Sequence, residues 1–168
     1  MKDKIKKYIK EIIKYLIITI IALNVISYYK SQDLNKENFP YEAFELIDNS
    51  TYNLSKEKPL LIYFWATWCP ICKFQSPNIE SLSEDYQVIT IASQSGSKDE
   101  IKEYLEKNRL TFKVVDDSFG NFAHKFNIQA YPTTLIYDKN KNLKFSDVGY
   151  TSSFSLKLKI WWASIFYN

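Results

Sequence analysis

The sequence predicts an α/β domain, a mixed sheet with helices on both faces and an N-terminal β-hairpin, preceded by one transmembrane helix. Three observations carry this. KPLLIYFWA at 58–66 and QVITIAS at 87–93 are continuously apolar and β-prone, which suits strands buried on both faces. Segments of helical period follow each of them. Ahead of both, a lysine-rich tract runs into the apolar stretch YLIITIIALNVISYY at 15–29.

The N-terminal tract reads as an address. Six lysines fall within residues 1–14, and from Ile12 to Tyr29 a helix would reach about 27 Å, with Lys14 snorkelling to the headgroups. That nearly matches a hydrocarbon core of roughly 30 Å. Lysines before the run and almost none after it place the N-terminus in the cytoplasm. No small-x-small cleavage site follows; Tyr28, Tyr29 and Lys30 stand there instead, so a signal-anchor is favoured over a cleaved signal peptide. The expected organisation is a cytoplasmic basic tail at 1–11, a transmembrane signal-anchor at 12–29, a linker at 30–38 and a domain at 39–168. That domain would face the periplasm or cell exterior, where disulfide chemistry is at home.

Within the domain the elements are read in order. FELIDNSTYNLS at 44–55 forms a hairpin around a polar turn, and 58–66 is the first buried strand. From Pro70 the pattern turns helical, with Phe74, Ile79, Leu82 and Tyr86 as apolar points. A second buried strand follows at 87–93. KDEIKEYLEKN at 98–108 is an amphipathic helix with Ile101, Tyr104 and Leu105 on one face. TFKVVDD gives a short strand and GNFAHKFN a short helix, which Asp116 and Asp117 precede as turn and cap. PTTLIYD at 132–138 and LKFSDVG at 143–149 flank the turn KNKN as a hairpin. FSLKLKI alternates at strand period, yet Phe154, Leu158, Trp161 and Ile165 share a helical face. Helix is preferred, because a final helix would cover the sheet, with Trp161 and Trp162 as core and rim.

Composition narrows the function. Residues 1–30 carry a net charge of +5, from seven Lys against Asp3 and Glu11, and the remaining 138 residues a net −2. The domain therefore offers no basic stripe for nucleic acid. The chain has two cysteines and one histidine, His124, which is read as an exposed helix residue. A structural zinc site needs about four ligands and finds too few here.

Both cysteines lie in FWATWCPIC at 64–72, where a buried strand ends and a helix begins. A helix start offers unpaired N–H groups and a positive dipole end, which stabilise a thiolate. Pro70 stands where a first-turn proline is tolerated. Cys69 is then the exposed, acidified thiol that attacks a disulfide, and Cys72, one turn further in, resolves the mixed disulfide. A static clip closes too small a loop to stabilise much. A two-thiol Cu(I)-binding module stays open as a reading from another class.

FWATWCPIC resembles the active-site run of the thioredoxin superfamily, and residues from about Phe39 to Tyr167 resemble its membrane-anchored TlpA/ResA/DsbE-like branch. Pro77 matches the proline that kinks the family's active-site helix. AYPTTLIYD at 130–138 is similar to the segment holding the family's cis-proline, which places that residue at Pro132, and Gly149 matches the glycine after the last strand. The resemblance implies a thioredoxin-like fold and protein-disulfide oxidoreductase activity, with Cys69 and Cys72 catalytic and no cofactor or metal. It implies support from Trp68, Pro70, Ile71 and Pro132, and a substrate surface of Trp68, Tyr131 and Pro132. Oxidised periplasmic proteins would be the substrates, and a transmembrane thiol donor of the DsbD/CcdA type the electron source.

Departures from the family's pattern bear on the subgroup. Tyr63 stands where cytoplasmic thioredoxins keep a buried acid, and a phenol is a poor proton acceptor. Gln75 stands where cytochrome-maturation reductases of the branch usually carry glutamate. CPIC, KFQSP and AYPTT together resemble the ScsD-like group, linked to copper-stress tolerance, and a cytochrome c maturation reductase is the alternative within the enzyme class. Pro-Ile between the cysteines lacks the histidine of strongly oxidising members, which favours a reductase.

Overall fold

A computed structural model describes residues 2–32, 34 and 39–166. Its helices are α1 (Lys2–Gln32), α2 (Pro70–Ser83), α3 (Lys98–Asn108), α4 (Asn121–Lys125) and α5 (Ser153–Ile165). Its strands are β1 (Ala43–Glu45), β2 (Thr51–Asn53), β3 (Leu60–Trp65), β4 (Gln87–Ser93), β5 (Val114–Asp117), β6 (Thr133–Tyr137) and β7 (Leu143–Val148).

The order β5-β4-β3-β6-β7 makes a five-stranded mixed sheet, in which β3, β4 and β5 are parallel and β6 and β7 antiparallel to their neighbours. β3 lies at its centre, and its side chains alternate between two cores. Leu61, Tyr63 and Trp65 pack with Ile79 of α2, Ile101 of α3 and Leu156 of α5. Leu60, Ile62 and Phe64 pack on the other face with Leu34, Phe39, Phe44 and Phe126. That two-sided burial is why the run at 58–66 shows no polar alternation.

Local chemistry sets the element ends. β1 and β2 pair as the expected antiparallel hairpin, and Asp48 closes its turn by accepting from the Ser50 N–H at 2.9 Å. A capping box of Ser97 and Glu100 starts α3. Asp117, buried at the end of β5, accepts from the N–H groups of Phe122 (2.9 Å) and Ala123 (3.0 Å) and so caps α4 as expected. Glu80 ties α2 to the approach of β5, accepting from the N–H groups of Thr111 and Phe112 at 2.8 and 3.0 Å.

Three expectations are corrected. The outward face of α5 is the one expected to be buried: Phe154, Leu158, Trp161 and Ile165 are exposed, while Leu156, Ile160 and Ala163 pack inward. Both stripes are apolar at helical spacing, so periodicity alone could not choose. The smaller stripe fits against α2 and β6, and Lys159 pairs with Asp147 on β7 in the same orientation. Trp161 and Trp162 are accordingly surface residues rather than core and rim. On α2, Phe74 also points to solvent, about 140° around the helix from Ile79; Cys72, Gln75 and Ser76 share the inward face with Ile79 and Leu82.

The third concerns the N-terminus. Residues 12–29 are helical, but as the middle of the longer α1, because nothing in 2–32 is Gly or Pro and nothing stops the helix. Among the described residues no helix is long and apolar enough to cross a membrane. The expected linker at 30–38 falls largely outside the described residues; its first part belongs to α1, and Leu34 is buried in the core. The C-terminal half of α1 meets the sheet edge, where Ser27 Oγ accepts from the Val148 N–H at 3.0 Å.

The register of α5 yields a direct test by urea denaturation. Leu156→Ala should lose about 2–5 kcal/mol through the cavity it leaves. Phe154→Ala, at the exposed stripe, should stay within about 0.5 kcal/mol of the parent.

Candidate active site

Three sheet elements converge at the end of β3. Because β4 is parallel to β3 and β6 antiparallel, the segments that follow β3 and β4 and the one that precedes β6 meet at the same edge of the sheet. The chain leaves β3 through Ala66 and Thr67 and enters α2 at Pro70. Thr67 is braced by the loop after β4: its N–H donates to Ser95 Oγ at 3.1 Å and its hydroxyl to the Ser95 carbonyl at 3.3 Å.

Cys69 is the N-cap residue of α2 and is bonded to Cys72 in a disulfide. The backbone N–H of Cys72 points at Cys69 Sγ, 3.1 Å away, so the cap that starts the helix is the reactive sulfur itself. No acidic residue occupies the first turn, which leaves the positive end of the helix unopposed. An anion on Cys69 therefore meets an N–H donor and the helix dipole without rearrangement. Exposure follows the expected ranking but not the expected degree. Cys69 is 5% exposed and Cys72 fully buried, so Cys69 shows a narrow window rather than an open thiol. The wall around that window is Trp68, Pro70 and Ile71, all exposed.

Trp68 is held from two sides. Its indole N–H donates to the Gln94 carbonyl at 2.9 Å, and its ring meets that of Tyr131 edge-on at 5.8 Å. Tyr131 is half-buried against the cluster that contains both cysteines, and burial pushes its phenol above the usual tyrosine value. The Tyr131–Pro132 bond is cis, at the expected position. Pro132 is buried, and its carbonyl accepts from the Gly149 N–H at 2.8 Å. Gly149 can do this because its φ of +96° is open to glycine; no neighbouring atom would oppose a side chain there, so the constraint is conformational.

Behind the disulfide lies a polar layer without a carboxylate. Tyr63 donates its hydroxyl to the Cys72 carbonyl at 3.2 Å, and Ser76 Oγ donates to the same oxygen at 2.9 Å. Burial pushes the Tyr63 phenol strongly upward, so it stays a donor at any physiological pH. Gln75, fully buried, donates to Thr134 Oγ1 at 3.3 Å and accepts from the Thr151 N–H at 2.9 Å, bridging α2, β6 and the segment after β7. Tyr63 and Ser76 thus hold the Cys72 carbonyl, and Gln75 ties the neighbouring elements together. Every site residue expected from sequence meets at this one edge. Gln94, Ser95 and Ser76 join them unannounced: an indole held by a main-chain carbonyl leaves no trace in side-chain identity.

His124 lies on the exposed side of α4. Asp116 accepts from the Ser118 N–H at 2.9 Å as a local turn. Among the described residues no cluster of three or more His, Cys, Asp or Glu could hold a metal ion.

Comparison with known proteins agrees with this geometry. The family model described as AhpC/TSA family matches residues 32–146. A thioredoxin-like protein of Haemophilus influenzae is 33% identical over 166 residues, covering 97% of this chain and 99% of its own. The thiol-disulfide oxidoreductase ResA of Oceanobacillus iheyensis is 30% identical over 106 residues, covering 60% of this chain and 55% of its own. Among solved structures, StoA from Bacillus subtilis superposes with a TM-score of 0.63 at 21% identity, covering 74% of this chain and 97% of that one. At that identity the likeness speaks for the fold, which is thioredoxin-like.

The polar layer can be tested through pH. Burial raises both Tyr63 and Tyr137 above the ordinary value of 10.0, so the folded state holds these protons more tightly than the unfolded chain. Stability should be full below about pH 10 and should fall as pH rises beyond it. Tyr63→Phe should lose about 1 kcal/mol at neutral pH, from the missing hydrogen bond. In urea midpoints taken from pH 8 to pH 11, it should show a shallower alkaline decline than the parent.

Proposed function

The chain belongs to the AhpC/TSA family, and from that premise we propose that it is a thiol–disulfide oxidoreductase acting on protein disulfides outside the cytoplasm, in the reducing direction. The observation that carries the reading is the Cys69–Cys72 disulfide at the first turn of α2, with the Cys72 N–H aimed at Cys69 Sγ.

The chemistry runs in two exchanges. In the reduced protein the Cys69 thiolate attacks one sulfur of a substrate disulfide. A Cys69–substrate disulfide forms, and the other substrate sulfur leaves as a thiolate. Cys72 then attacks Cys69 Sγ, which closes the intramolecular disulfide and releases the second substrate thiol. Two electrons pass to the substrate, and an external dithiol must return them. Proton transfer goes to solvent or to the departing thiolate, because neither Tyr63 nor Gln75 can accept one. Tyr131 offers the substrate a backbone edge: among the described residues its N–H and C=O form no backbone hydrogen bond. An extended substrate segment pairing there would be held without regard to its sequence.

Attachment to the membrane through the N-terminus is part of the proposal. The lysine-rich start supports it, as does the apolar surface of α1, where Ile13, Leu16, Ile17, Ile21 and Val25 are all exposed and await a cover. A transmembrane dithiol donor of the DsbD/CcdA type then fits the need for electrons at that surface. The ScsD-like subgroup is favoured over cytochrome c maturation by Gln75, which replaces the glutamate with a neutral bridge.

Two measurements check the reading. Cys69→Ser should abolish dithiol-driven reduction of insulin, while Cys72→Ser should accumulate a covalent mixed disulfide detectable by mass. The reduction potential of the Cys69–Cys72 couple should lie nearer the thioredoxin figure of about −270 mV than the DsbA figure of about −120 mV. A value near the latter would reverse the direction proposed.

A further inference from the structure

The route by which the chain enters the domain decides which end of the sheet α1 meets. Phe64, Thr133 and Val148 form one row across β3, β6 and β7, just before the turn that carries Cys69. Two strand spacings, roughly 10 Å, separate Val148 from Phe64 in that row. At the other end of the same strands, Leu60, Tyr137 and Leu143 form the corresponding row. Ser27 of α1 meets the first row, where its Oγ accepts from the Val148 N–H at 3.0 Å. Gly149, the next residue, holds the Pro132 carbonyl at 2.8 Å, so α1 docks within one residue of the site. Phe39 meets the far end, donating its N–H to the Lys141 carbonyl at 2.9 Å. From Ser27 to Phe39 the chain therefore runs down the β7 edge, from the cysteine end of the sheet to the opposite end. Nothing in α1 is Gly or Pro to turn it aside, so the residues before Ser27 leave the domain past the cysteine end. Exposure agrees: Val25 and Ile26 are 46% and 52% exposed, whereas Leu34 is buried in the core.

The apolar tract at 15–29 ends at the same turn of α1 that meets β7. Resting on the oxidoreductase reading and on membrane attachment through α1, we infer that the Cys69 window opens toward the bilayer. Its exchange partners are accordingly disulfides and dithiols held at the bilayer surface. A tether joined at the opposite end of the sheet would raise the cysteines by the length of β3, about 20 Å. Joined at the Val148 end, it keeps them close to the headgroups. A disulfide confined to that surface meets the window at a raised effective concentration. A disulfide in a large soluble protein has to enter the gap between domain and bilayer. The sulfur chemistry is unchanged: two electrons pass from the Cys69–Cys72 dithiol to the partner disulfide, which leaves as two thiols.

The test uses the reduced full chain, freed of excess dithiol and reconstituted domain-outward in vesicles of phosphatidylcholine and phosphatidylglycerol. Three disulfides serve as probes: glutathione disulfide, a soluble disulfide-bonded peptide, and the same peptide carrying a palmitoyl chain that holds it on the bilayer. Oxidation in single turnover is read by mass, after maleimide trapping of the thiols that remain. The parent should react more than about threefold faster with the palmitoylated peptide than with the soluble one. Four EAAAK repeats inserted between Tyr29 and Lys30 add about 30 Å of helix and lift the domain from the surface. In that variant the ratio should fall to one or below, while its rate with glutathione disulfide stays within about twofold of the parent. A parent ratio below threefold overturns the orientation, whether or not the lengthened chain folds. A parent ratio that survives the insertion, in a variant that reacts normally with glutathione disulfide, overturns it as well. Failure of the chain to float with the vesicles would instead overturn membrane attachment, and failure to react with glutathione disulfide the oxidoreductase reading. Either of these takes the inference with it.

Discussion

Strand β3 has water on neither face. From Leu60 to Trp65 no side chain is more than 1% exposed, and alternate residues feed two separate cores. At roughly 1.5–3 kcal/mol for each large apolar side chain fully buried, this one strand contributes on the order of 10 kcal/mol to folding before its backbone bonds are counted. Its neighbours on both edges, β4 and β6, then have no freedom of register. The end of β3 is thus the most tightly positioned point in the sheet, and the disulfide is placed immediately beyond it.

That placement explains how a small site works with few polar groups. A reactive sulfur at a helix N-cap needs a fixed helix start, and here the start is set by a strand that cannot shift. Around it the main chain does much of the positioning. The Ser95 carbonyl holds Thr67, the Gln94 carbonyl holds Trp68, and the Gly149 N–H holds Pro132. Behind it, Tyr63 and Gln75 make neutral hydrogen bonds, to the Cys72 carbonyl and to Thr134. No carboxylate stands among these hydrogen bonds behind the disulfide.

Two groups of exposed aromatic residues stand on the helices α2 and α5 and their surroundings. Phe74 on α2 and Tyr150 after β7 stand on or against the helix that begins at the disulfide. Those on α5, including Phe154, Trp161 and Trp162, stand on a helix that packs by its opposite stripe.

How much of this was legible follows from the kind of constraint involved. Continuous apolar runs, the CPIC pair between strand and helix and the two turns of β-hairpin are local patterns, and each formed where the residues predict it. The pair and its proline partner were placed in one site by resemblance to the family, and the structure sets their motifs at the ends of adjacent buried strands. The sequence by itself determined the element order, the cysteine chemistry and the absence of an acid at positions 63 and 75. Only the tertiary structure decided which of two apolar stripes of α5 is buried, that Phe74 faces outward, how little of Cys69 is open, and that Gln94 anchors Trp68. Those outcomes depend on the space left by other elements and on main-chain groups, which every residue carries alike and no side-chain pattern records.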